Sequence, residues 1–69
     1  MSEFLIILMI WLGLLDPTAT YTVGQTQQIA ETNTTLLQNA SASVDTTSTS
    51  WQYAREQQKD IIIIDPTTR

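Results

Sequence analysis

The chain has 69 residues with seven acidic and three basic side chains, a formal net charge of −4, and neither cysteine nor histidine. This inventory excludes disulfide staples, thiolate or imidazole metal sites, a histidine general base and a Ser-His-Asp triad. Three cations also argue against nucleic-acid binding and against electrostatic attachment to anionic lipid.

The first element in chain order is the apolar run FLIILMIWLGLL, residues 4–15. As a helix its twelve residues span about 18 Å, short of the bilayer core of about 30 Å. Such a run is a buried helix, an interfacial segment or the apolar part of a signal peptide. The leader before it carries Glu3 and no cation, and Thr18-Ala19-Thr20 is a poor cleavage site, so removal as a signal is not expected. Phe4, Leu5, Ile6 and Leu8, with Ile10, Trp11, Leu12 and Leu15, are therefore expected to contact partner protein or a membrane. Left in water they would form an aggregation site, because each aliphatic side chain gains about 1.5–3 kcal/mol on burial. Little else in the chain is available to cover them.

Asp16-Pro17 is expected to end a first helix at about residue 15. Residues 18–23 alternate polar and apolar, which predicts a short extended segment, and Thr22 with Gln25 has capping-box spacing. Over residues 24–44 the spacing of Ile29, Leu36, Leu37, Ala40 and Val44 predicts one amphipathic helix with a narrow apolar stripe. A seven-residue recurrence, Val23, Ala30, Leu37, Val44 and Trp51, is only half a heptad pattern, since its companion positions are polar. Residues 45–49 read as a linker, with Thr49 as the expected cap of a helix over 50–60. In that helix Trp51 and Arg55 have cation–π spacing, and Glu56 and Lys59 ion-pair spacing.

Ile61, Ile62, Ile63 and Ile64 are β-branched and bounded by Asp60 and Asp65-Pro66, which predicts a strand. An exposed strand of this kind can add to the sheet edge of another chain. Its partner within the chain, if one exists, lies in residues 18–23. Residues 61–69 are expected to form an extended tail. Asp-Pro-Thr follows an apolar run at both 16–18 and 65–67, shared stop chemistry rather than a repeat.

The fold class expected from these elements is mainly α and non-globular. It comprises an apolar anchor helix (1–15), a turn and short extended segment (16–23), an amphipathic helix (24–44), a linker (45–49), a helix (50–60) and a tail (61–69). Order is expected only within an assembly, and the isolated chain is expected to aggregate or remain unstructured in buffer. A charged fraction of 14% supports extensive contact with other chains, since about 25–35% is usual for a designed soluble surface.

No paired carboxylates, activated hydroxyl or phosphate-binding glycine loop is present, so no enzyme, cofactor or small-molecule substrate is expected. Asn33 and Asn39 match the N-glycosylation pattern. An apolar anchor followed by a Thr/Gln/Asn-rich helix and an extended tail resembles the small structural proteins of virus particles and phage tails. This resemblance is one of composition and assigns no residues. The function expected is a non-enzymatic structural subunit of a large multi-protein assembly, such as a minor virion component, held by residues 4–15. The side chains expected to meet partner subunits also include Ile29, Leu36, Leu37, Val44, Trp51 and the four isoleucines. The alternatives are a small membrane-anchored accessory subunit and a secreted, glycosylated peptide.

Overall fold

Four consecutive side chains of the first helix, Ile7, Leu8, Met9 and Ile10, are all buried. Successive helical residues point about 100° apart, so this helix is covered around its whole circumference. A helix that is apolar all round sits in the middle of a protein rather than on its surface, and the fold is organised accordingly. The structure, a computed structural model, describes residues 3–64. Its elements are α1 (Glu3–Trp11), β1 (Thr20–Thr22), α2 (Val23–Thr32), α3 (Thr34–Ser43), α4 (Thr49–Gln58) and β2 (Ile62–Ile64).

Helix α1 packs chiefly on α4 and to a lesser extent on α3. The core joins Ile7, Leu8, Met9, Ile10 and Leu15 to Leu37 and Ala40 of α3 and to Trp51 and Ala54 of α4. Ala40 and Ala54 are small, which lets their helices approach α1 closely. Trp51 lies against the ring of Phe4 at 5.3 Å and that of Trp11 at 6.2 Å, with Trp11 roughly edge-on. The Trp11 indole Nε1 donates to Ser50 Oγ at 3.0 Å and ties α1 to the start of α4.

The non-globular expectation is overturned by this packing. The Cα radius of gyration is 11.9 Å, against about 11 Å for a compact chain of this length and about 25 Å for an unfolded one. The apolar run is sheltered by its own chain. Helices α3 and α4 each offer two buried apolar side chains, too few to suggest a core singly but enough when they converge on one central helix.

Helix α1 ends at Trp11, earlier than the expected residue 15, and Gly13 is the reason. Its φ of +80° places it in the left-handed region. Gly13 N donates to Ile10 O at 3.0 Å and Leu14 N to Met9 O at 2.8 Å. This is the Schellman arrangement, with glycine at the first position beyond the cap. Asp16-Pro17 instead begins the next turn. Asp16 Oδ1 accepts from the backbone N and the Oγ1 of Thr18, at 2.9 and 2.7 Å. Asp45 and Thr47 repeat the same turn before α4, at 2.9 and 2.6 Å.

Thr22 and Gln25 form a full capping box at the start of α2. The single helix expected over 24–44 is broken at Asn33 into α2 and α3. Asn33 Nδ2 donates to Ile29 O at 2.8 Å. Thr32 Oγ1 donates to Gln28 O and Thr34 Oγ1 to Glu31 O. Three successive side chains that bond backward to the backbone compete with the helical ladder, and the helix is interrupted there. Ser48, not Thr49, caps α4, accepting from Trp51 N at 3.2 Å. Trp51, expected to stack on Arg55, is turned into the core.

Strands β1 and β2 pair in parallel, Thr20 with Ile62, Tyr21 with Ile63 and Thr22 with Ile64. The crossover between them runs through α2, α3 and α4. The part of the expected tail beyond residue 64 lies outside the described residues.

Candidate interaction surface

Two strands of three residues make a very small sheet, and a parallel pair normally has both faces covered. Here one face is open. Ile62 and Ile64 project on the same side, as alternate strand residues do, and remain 57% and 50% exposed. Ile63, between them, is half-buried and opposite Tyr21. Among the described residues β2 has one strand neighbour, β1, so its outer edge carries no strand.

The strand bears no charge, but its approach does. Asp60 is exposed two residues before β2 begins, and its backbone N donates to Gln57 O at 3.0 Å. Among the described residues its carboxylate forms no ion pair. The cation closest in sequence, Lys59, pairs with Glu56 at 3.3 Å. Asp65 follows Ile64 directly in the sequence. Asp16 and Asp45 behave differently: the side-chain and then the backbone hydrogen bonds of Thr18 and Thr47 hold their carboxyls below the usual range. Both are committed to turns.

The other side chains expected at a partner surface divide by position. Leu8, Ile10, Leu15, Leu37 and Trp51 are buried inside this chain. Leu5, Ile6, Trp11, Leu12, Ile29, Val44 and Ile61 are half-buried against that core. Phe4 is partly exposed, but its ring leans on Trp51. Leu36 is 45% exposed on the outer side of α3. The sequence reading omitted Ile7 and Met9, which the core uses, and Tyr53, which is exposed on α4. Tyr53 stands two residues from Trp51, about 200° round the helix, and that spacing was the available signal.

Two shallow grooves flank α2. One, of about 280 Å³, runs past Leu5, Ala30, Glu31, Thr34, Leu37, Gln38 and Ser41. The other, of about 330 Å³, is lined by Tyr21, Gln25, Gln28, Ile29, Thr32 and Asn33. Glu31 is the only carboxylate in either lining, so neither holds an acid–base pair. Among the described residues no group of three His, Cys, Asp or Glu side chains gathers to hold a metal ion. No helix among them is long and apolar enough to cross a membrane. Asn33, one of the two glycosylation matches, uses its amide nitrogen inside the α2–α3 junction.

No family model, curated protein or solved structure matches this chain.

Proposed function

We propose that this chain is a non-enzymatic structural subunit of a larger protein assembly, and that it joins that assembly as an already folded body. A virus particle or phage tail is the setting its composition resembles. The observation that carries the reading is the open edge and face of β2, where Ile62 and Ile64 stand exposed while the longer apolar run is packed away. Exposed β-branched residues on an unpaired strand favour association by strand addition. The residue inventory supports the non-enzymatic part, since no histidine or cysteine is present and neither of the two grooves described above pairs two carboxylates. Helix α1 is not the anchor in this reading, because its apolar faces are taken up by α3 and α4.

The test is the hydrodynamic size of the chain in native extract from cells or particles that make it. A subunit elutes far above its own 7.7 kDa, in fixed ratio to its neighbours. Elution as a free monomer over the whole physiological concentration range would refute the proposal.

A further inference from the structure

We propose that the groove where α2 meets β1 binds a neutral oligosaccharide, at least two sugar rings in length. Its lining is Tyr21, Gln25, Gln28, Ile29, Thr32 and Asn33, around a volume of about 330 Å³, near the lower end of the usual range for ligand sites. Gln25, Gln28, Ile29 and Thr32 recur at the spacing of one helical face. Tyr21, Ile29 and Asn33 are half-buried, while Gln25, Gln28 and Thr32 are exposed. The floor is thus partly apolar and the rim polar.

The polar groups are held in place, and each keeps capacity to spare. Gln25 Oε1 accepts from Thr22 N at 2.9 Å in the capping box, which leaves the two donors of its Nε2 unpartnered among the described residues. Asn33 Nδ2 donates to Ile29 O at 2.8 Å, which leaves its Oδ1 as an acceptor. Between them Gln28 keeps a whole side-chain amide, and Thr32 Oγ1, which donates to Gln28 O, can still accept. Tyr21 is fixed by its hydroxyl, which accepts from Asp16 N at 2.9 Å. The described lining therefore offers neutral donors and acceptors beside a fixed aromatic residue and one aliphatic one.

Sugar hydroxyls both donate and accept, as these amides do, and the C–H face of a pyranose is apolar enough to lie on an aromatic ring. No ionised side chain stands in the described lining to pair with a charged ligand, and a buried charge without a partner is costly. Gln25 and Asn33 are eight residues apart, about 12 Å along the helix, longer than one pyranose ring. None of these residues belongs to β2, so the site stands apart from the surface on which the subunit reading rests.

The experiment titrates the uniformly ¹⁵N-labelled full chain with maltose, cellobiose and lactose, which differ in linkage and hydroxyl configuration. Glucose is the single-ring comparison and glycerol the control. At least one disaccharide is expected to bind with a dissociation constant of about 1 mM, and to shift the side-chain amide signals of Gln25, Gln28 and Asn33. Glucose is expected to bind about tenfold more weakly. Gln28→Leu, at an exposed position, should weaken the disaccharide about fivefold, whereas Gln27→Leu, exposed and outside the groove, should not. Circular dichroism checks that both variants keep their helices. No disaccharide shifting these amides more than glycerol does, equal affinity for glucose and the disaccharides, or binding indifferent to Gln28→Leu would each overturn the proposal. The size of the chain in native extract decides the subunit reading separately.

Discussion

Replacing Leu8 by alanine tests the central packing claim. Leu8 is fully buried in α1 with core neighbours on every side. Truncation of a leucine so placed removes its transfer free energy and leaves a cavity, at a cost of about 3 kcal/mol. A domain of this length has a total stability of about 3–10 kcal/mol, so one substitution consumes a third of it or more. Urea unfolding, followed by far-ultraviolet circular dichroism and by tryptophan fluorescence, gives the measurement. With a slope of about 1 kcal/mol per molar, the midpoint falls by about 3 M. Leu36→Ala is the matched control, because Leu36 is 45% exposed on the next helix but one. Its cost is expected within about 0.5 kcal/mol of zero. The parent chain is expected to unfold in one cooperative step as a monomer. The reasoning fails if the parent shows no transition, or if Leu8→Ala and Leu36→Ala are equally harmful.

Three further substitutions examine the turns and caps. Gly13→Ala meets no atom within 4 Å of the new Cβ, so its cost of about 1 kcal/mol is that of the left-handed backbone alone. It should lower the thermal midpoint by about 4–8 °C, with Gly13→Asn closer to the parent. Thr22→Ala removes the oxygen that accepts from Gln25 N at 3.1 Å, and should cost about 1 kcal/mol in the same thermal assay, whereas Thr22→Ser should cost less. The carboxyls of Asp16 and Asp45 are lowered by their Thr18 and Thr47 hydrogen bonds. Each therefore contributes stability above its unfolded pKa that is lost as pH falls through the folded one. Asp16→Asn with Asp45→Asn should flatten the loss of stability on acidification, measured as urea midpoint against pH. An unchanged acid slope would count against that assignment.

Local signals in the sequence were legible wherever the stabilising group lies a few residues away. The Thr22–Gln25 capping box and the Glu56–Lys59 ion pair depend only on spacing, and the structure contains both. The extended character of Ile62–Ile64 follows from β-branching, and the partner strand falls within residues 18–23. Helix α1 ends before Asp16-Pro17 because Gly13, at φ +80°, satisfies the last carbonyls without strain and so acts first. The break at Asn33 does not show in the spacing of apolar residues, because it is made by three polar side chains, Thr32, Asn33 and Thr34, that bond backward to the backbone. Globularity was missed for a different reason. Periodicity tells which face of a helix is apolar, but not which chain covers it. Leu37 and Trp51 were assigned to a partner, yet they meet α1 of the same molecule. At the candidate surface, the apolar strand and its acidic flanks could be read directly. The burial of Ile63 beside exposed Ile62 and Ile64 required the pairing register with β1.

The pairing of α1 with α4 also sets a schedule for biosynthesis. Trp11 and its hydrogen-bond partner Ser50 are 39 positions apart. At a translation rate of about 5–20 residues per second, the apolar helix waits about 2–8 s on the ribosome before its cover is made. During that interval the nascent segment presents the greasy surface that the finished molecule conceals, and it is open to chaperones or to a passing bilayer. Ribosomes stalled before Trp51 clears the exit tunnel should display an accessible α1, and those stalled well beyond it should not.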